Sequence, residues 1–242
     1  MSSPIKAGTI KRNRNQPSQL DMRYEMRFMD ESHLRDIMGL QEVIIQSLAD
    51  KEIFRTHSPD YFQDHFQIEY STVGVFTEDG LVAYSVLYFP GEREDNFGSD
   101  INLPHDELTK VVHLATVAVH PAYRGNSLQS IMHGIHLEVV KRMGYEHVCC
   151  MVSPKNRPSL QNMLSHGLTI KALKVKFDWR LRYIMHKNIV RPSIIGPEEI
   201  RIRSSDIEGQ ISLLKRGFLG FRLVELLDGF EVSYGRIVQS SA

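Results

Sequence analysis

Apolar and polar positions along this chain repeat with two periods, and the changes of period mark out its elements. Residues 23–28 read as a strand. From Leu34 the apolar residues Leu34, Ile37, Met38, Val43, Ile44 and Leu48 recur at helical spacing, with Ser32 placed to cap the helix. Ser58-Pro59 opens a second short helix, since proline suits an early helical position. Strands over 73–77 and 81–89 flank Glu78-Asp79-Gly80, a hairpin signal. Residues 90–107 are irregular and acidic. Residues 111–119 are almost wholly apolar, the pattern of a strand buried on both faces, and Pro121 ends it. A helical stripe of Leu128, Ile131, Met132, Ile135 and Val139 follows, and Gly144 stands where a C-terminal cap is expected. The pattern then predicts a strand over 147–152, a helix over 159–166 stopped by Gly167, and a strand pair over 168–186. Strand, tight loop, helix and second strand in this order make a crossover that lays two strands side by side, so the class is α/β.

The two ends differ from this middle. Residues 1–22 carry Lys6, Lys11, Arg12 and Arg14 with almost no apolar content, and are expected to be a flexible tail. Beyond the main domain, residues 23–188, the segment 189–242 holds ISLLKRGFLGFRLVELLDGFEVSYGRI, which echoes SLQNMLSHGLTIKALKVKFDWRLRYIM. Leu164, Gly167 and Asp178 match Leu214, Gly217 and Asp228 at one offset of 50 (214 − 164). The echo predicts a helix-plus-hairpin extension that extends the sheet, shields its edge, or pairs with a second copy as a homodimer.

Composition removes several classes. Among 242 residues, 29 Lys and Arg balance 29 Asp and Glu, so no global field draws nucleic acid or an anionic membrane, and neither is expected as a partner. No apolar run approaches the roughly 18 residues that span a bilayer. The first residues lack the apolar core of a secretion signal, so a cytoplasmic location is expected. The two cysteines, Cys149 and Cys150, are neighbours on a strand and point to opposite faces. That spacing suits buried thiols better than a disulfide or a metal site, and no metal is expected. His133 and His136 fall off the apolar stripe of their helix and read as solvated.

The most informative stretch is VAVHPAYRGNSLQ, residues 117–129. An apolar strand turns at a proline, a short polar loop holds Arg124-Gly125-Asn126-Ser127, and an amphipathic helix begins at once. The N–H groups of a first helical turn and the helix dipole favour an anion there. Gly125 allows close backbone approach, and Arg124 adds a charge-assisted hydrogen bond to a phosphate. No Gly-Lys-Ser/Thr follows and the dinucleotide glycines are missing, so neither nucleotide fingerprint applies.

This stretch resembles the R/Q-x-x-G-x-G/A core motif of the GNAT family of N-acetyltransferases. Asn156 opens NRPSLQNMLSHGL, which looks like the family's second motif, N-x-x-A-x-x-x-Y-x-x-x-G-F, with Asn156, Gly167 and Leu168 in register. The resemblance covers roughly residues 23–187. It implies a GNAT fold: a mixed central sheet whose two parallel strands, 111–119 and 147–152, splay apart, with flanking helices. It also implies acetyl-CoA as co-substrate. The backbone of Val117, Ala118 and Val119 would meet pantetheine as an added strand does. Arg124 and the amides of Gly125, Asn126, Ser127, Leu128 and Gln129 would hold the pyrophosphate, and Asn156 would touch the far side of the coenzyme. The implied activity is direct acetyl transfer to a primary amine on a small molecule or peptide. The alternative is a non-catalytic acyl-CoA binder or sensor of the same fold.

Three residues depart from the motifs. Ser127 and Gln129 stand where Gly or Ala is usual, and a left-handed conformation there would cost about 1–2 kcal/mol. Met163 replaces the tyrosine that in many members protonates the departing thiolate. By two-residue alternation His113 shares a strand face with Val117 and Val119, which makes it the candidate base; the other reading is a hydrogen-bonded histidine within the sheet. The acidic stretch 90–107 offers a place for a cationic acceptor or is a charged surface loop. Tyr61, Phe62 and Phe66 cover the acceptor side or pack their own helix.

Overall fold

The structure is a computed structural model that describes residues 4–14, 16, 19–177 and 179–238. The chain forms two compact units, Met1–Tyr88 with Leu114–Val140, and Phe89–His113 with Lys141–Ala242. Strand β5 (Val111–Val119) gives its first three residues to the second unit and the rest to the first.

In the first unit, β1 (Lys6–Arg12), β2 (Leu20–Phe28), β3 (Thr72–Thr77) and β4 (Gly80–Tyr88) follow in spatial order and lead to β5. β1 to β4 pair antiparallel throughout. Helices α1 (Leu34–Ser47) and α2 (Pro59–Phe66) bury Ile37, Leu40, Ile44 and Phe62 in a core with Met29, Tyr84, Val86 and Ala118. A second core joins Ile10, Met22, Tyr24 and Met26 to Leu128 and Met132 of α4 (Leu128–Arg142). Ser58 caps α2 by accepting from Tyr61 N–H. Ahead of α1, Asp30 does the capping expected of Ser32. Its extended backbone lets Oδ1 accept from Ser32 N–H at 3.0 Å and opens a short 3-10 turn.

The N-terminal segment is not a tail over its described length. β1 pairs with β2 from Lys6↔Met26 to Arg12↔Leu20, and Ile10 is buried. An edge strand needs only backbone partners and one apolar side chain, so its polar sequence conceals it. Residues 1–3, 15, 17 and 18 lie outside the described residues. The reading of His133 and His136 also changes. The buried face of α4 comprises Leu128, Met132, His133, His136, Val139 and Val140, wider than the apolar stripe alone. Burial pushes the His136 imidazole down to about 4.

The second unit orders its strands β5, β6 (His147–Val152), β8 (Arg180–Asn188), β7 (Thr169–Lys176), β10 (Leu219–Leu226), β11 (Gly229–Gly235) and β9 (Ile200–Arg203). β5 and β6 run parallel and the other described pairs antiparallel, so the sheet is mixed. The helices here are α3 (Phe97–Asp100), α5 (Arg157–Ser165) and α6 (Ile207–Lys215). Phe97, Val111, Cys149 and Ile184 form one core cluster, and both cysteines are free and buried. The expected division into 23–188 and 189–242 does not coincide with a boundary between units. β7 pairs with β10 at Ile170↔Gly220, which joins the C-terminal segment to the strands before it.

Candidate functional site

After β5 the chain makes a 3-10 turn, Pro121–Tyr123, capped by His120, whose Nδ1 accepts from Ala122 N–H at 3.1 Å. Tyr123 is buried there and its hydroxyl donates to Asp79. Arg124-Gly125-Asn126-Ser127 then leads into α4, with Gly125 at φ 83° and Ser127 at φ 57°. Ser127 thus takes the costly left-handed conformation, so surrounding contacts must hold the loop. They come from β1 and the residues after it. The Asn126 side chain accepts from Lys11 N–H at 2.9 Å and donates to the carbonyls of Lys11 at 2.7 Å and Tyr123 at 2.9 Å. Asn13 N–H donates to Ala122 O at 2.6 Å, and Arg14 Nη1 to Gly125 O at 2.5 Å. The sequence carried no signal for this clamp, because nothing local ties residues 11–14 to residue 126.

Gly125 and Ser127 are exposed at the N-terminal end of α4, where the dipole favours negative charge; Leu128 is buried, and Asn126 and Gln129 are half-buried. Arg124 is exposed, and its Nη2 donates to Ser47 Oγ at 3.3 Å. Along β5 burial changes midway. Residues 111–114 are buried, Ala115 is exposed, and Thr116, Val117 and Val119 are half-buried, while Ala118 packs into the α1–α2 core. The strand is therefore not buried on both faces throughout. Its ladder with β6 consists of Val111↔His147, Val112↔Val148 and His113↔Cys149.

The remaining site residues lie in the second unit. His113 is 2% exposed, its Nε2 accepts from Phe97 N–H at 3.1 Å, and its ring stacks on Phe97 at 4.0 Å between centroids. Burial, with the nearby Lys176 charge, holds this imidazole down at about 3. Its lone pair is thus already engaged. Asn156 caps α5, accepting from Ser159 N–H at 3.2 Å, and Met163 is buried in that helix. Part of the acidic stretch is neutralised internally. Asp100 receives Lys174 at 3.2 Å and Lys176 at 2.5 Å. Glu107 Oε2 lies 2.6 Å from His147 Nε2, whose Nδ1 faces His186 Nε2 at 2.9 Å. Glu107, Glu146 and His147 stand close enough to share a cation, but Lys110 already fills that role, 3.5 Å from Glu107 and 3.0 Å from Glu146.

No protein-family model matches the sequence, and no curated protein matches it. Solved structures match its fold. The Salmonella typhimurium protein yncA, solved with its cofactor acetyl-CoA, aligns with a TM-score of 0.51 and 18% identity over 69% of this chain and 94% of that one. The ribosomal-protein-S5-alanine acetyltransferase of Vibrio fischeri gives 0.51 and 12% over 68% and 92%. The loading GNATL domain of CurA from Lyngbya majuscula gives 0.53 and 15% over 69% and 98%. The chain has the α/β fold of GNAT acetyltransferases, a mixed sheet with flanking helices.

Proposed function

We propose that this chain is an acyl-CoA-dependent N-acyltransferase that moves an acetyl group from acetyl-CoA directly to a primary amine on a small molecule or peptide. The observation that carries the reading is the change along β5. Residues 111–113 pair with β6, the residues after Leu114 lose burial, and the strand runs straight into a clamped, anion-favouring loop at the start of α4. On this reading the two parallel strands splay beyond His113, and the backbone of Val117, Ala118 and Val119 pairs with pantetheine. Arg124 and the backbone of residues 125–129 receive the pyrophosphate, and Asn156 is the residue that the second motif assigns to the coenzyme. That yncA was solved with acetyl-CoA supports this choice of donor. His113 is a poor base with its Nε2 already accepting, so on this reading the amine arrives neutral, and the proton it sheds on forming the amide passes through water to the departing CoA thiolate. Calorimetry with CoA, followed by thiol release from acetyl-CoA across a panel of amines, tests the proposal; absence of CoA binding removes it.

The second reading, a non-catalytic acyl-CoA binder, is favoured by the same His113 geometry and by the buried Met163 in place of a tyrosine acid. CoA binding with no thiol release for any amine would select it.

A further inference from the structure

Lys11, Arg12 and Arg14 end the segment that clamps the loop before α4, and their side chains meet different partners. Lys11 Nζ lies 3.9 Å from an Asp21 carboxylate oxygen, and Arg12 Nη1 lies 3.3 Å from one of Asp79. Arg14 meets a neutral group instead. Its Nη1 donates to Gly125 O at 2.5 Å, and the residue is exposed. Within the loop, Arg124 is matched in the same way, its Nη2 donating to Ser47 Oγ at 3.3 Å. Two guanidiniums from distant parts of the chain thus border one exposed loop, each bonded to a neutral oxygen rather than to a carboxylate. All of these residues belong to the first unit.

The peptide between Gly125 and Asn126 separates the roles of the two arginines. A trans peptide points its C=O and its N–H in opposite directions. On the acyl-CoA reading, Asn126 N–H is one of the amides that face the pyrophosphate, so Arg14, bonded to Gly125 O, stands on the reverse of that peptide. CoA carries one more phosphate, on the 3′ oxygen of the ribose whose 5′ oxygen bears the pyrophosphate, and this group needs a cation beside the loop rather than within it. We propose that Arg14 binds the 3′-phosphate and makes the site selective for CoA over coenzymes that end in an unphosphorylated ribose. A guanidinium presents several N–H donors in a fixed fork, which suits a phosphate. The bond to Gly125 O uses one donor and steadies the side chain, while the Asn126 bonds to the Lys11 backbone hold the strand end against the loop. The inference rests on the acyl-CoA reading and adds to it a segment that lies outside both sequence motifs.

Calorimetry of the full chain with CoA and with 3′-dephospho-CoA tests this. The unmodified chain should bind CoA about tenfold more tightly, the size of one charge-assisted hydrogen bond at an exposed, screened site. In Arg14→Gln the preference should vanish. Arg14→Lys should keep most of it, and Arg124→Gln should weaken both ligands alike. The ratio isolates the 3′-phosphate, because loosening the loop through the lost Gly125 bond lowers both affinities equally. Equal binding of the two ligands by the unmodified chain, or a preference that survives Arg14→Gln, overturns the proposal and leaves the acyl-CoA reading standing. Binding of neither ligand removes that reading, and this proposal with it.

Discussion

Helices α5 and α6 begin and end in the same way. Asn156 accepts from Ser159 N–H at 3.2 Å, and Asp206 from Gly209 N–H at 2.9 Å. Gly167 at φ 80° and Gly217 at φ 83° close the helices, and Leu168 N–H→Met163 O matches Phe218 N–H→Leu213 O, both at 3.1 Å. The following hairpins shift register at matching places, between Ile170 and Ala172 and between Gly220 and Arg222. Ile170 and Gly220, 50 apart (220 − 170), face each other where β7 meets β10, so β6-α5-β7-β8 and β9-α6-β10-β11 are two copies about a local two-fold. Caps, left-handed glycines and register shifts are backbone devices, and these recur. The filling differs. Where α5 buries Leu160, α6 buries Gln210, whose Oε1 accepts from Tyr183 at 2.6 Å and Tyr234 at 2.7 Å. Only the first copy pairs with β5, through residues 111–113.

The largest expected effect comes from acid, and it falls unevenly on the copies. His186, on β8, is held at about 3 by burial, with Lys171 and His147 adding to the shift; His113 on β5 is also held at about 3 and His136 in the first unit at about 4. Residues 200–235 contain no histidine. A folded imidazole with a depressed value resists a proton that the unfolded chain accepts near 6.5. Each such residue therefore stabilises the fold fully above about pH 6.5, and its contribution is lost on acidification towards its folded value, by roughly 1 kcal/mol per pH unit. Thermal melts from neutral pH to about 5 should fall steeply, and hydrogen exchange should rise in the first copy before the second. A flat profile would show that these imidazoles take up protons in the fold as readily as in the unfolded chain.

The polar trio comes next. Gln210→Leu should destabilise by about 2–4 kcal/mol, since it orphans two buried hydroxyls at once. Adding Tyr183→Phe and Tyr234→Phe should recover most of the loss; a triple variant no more stable than Gln210→Leu would show that packing, not hydrogen bonding, sets the difference from Leu160.

The glycines sharpen the likeness. Gly167→Ala and Gly217→Ala should each cost about 1–2 kcal/mol in urea unfolding, and nearly equally. An added carbon meets nothing within 4 Å at Gly217 and only the Lys187 side chain, at 3.4 Å and beyond, in ordinary contact at Gly167, so backbone conformation sets both costs. Unequal losses would mean that the two turns differ in more than sequence.

The smallest effect separates the copies by function. Asn156→Ala and Asp206→Ala should each cost about 1 kcal/mol as lost caps. On the acyl-CoA reading, only Asn156→Ala should also weaken CoA binding by calorimetry. Equal CoA affinity for both variants would leave Asn156 a cap and nothing more.

Much of this molecule was legible because its signals are local. The run from Val111 to Val119 into Arg124-Gly125 and α4 declared itself within about thirty residues, as did the helix start at Ser58-Pro59 and the repeat at an offset of 50. Periodicity, caps and left-handed glycines act over a few residues, so the sequence determined the order of most elements between residues 23 and 188, the position of the anion-favouring loop and the echo of a helix and hairpin near the end.

Only the tertiary structure decided what meets those elements across space. β1 docks through backbone bonds that hydrophobic pattern does not encode. Asn126 reaches Lys11, 115 positions away, and so holds Ser127 in a conformation its neighbours alone would not favour. His113 Nε2 is occupied because the fold brings Phe97 N–H, 16 residues earlier, against it, and His133 and His136 went inside because that face of α4 is covered. A polar group's burial and protonation depend on the groups opposite it, and those are brought near by the fold rather than by the chain.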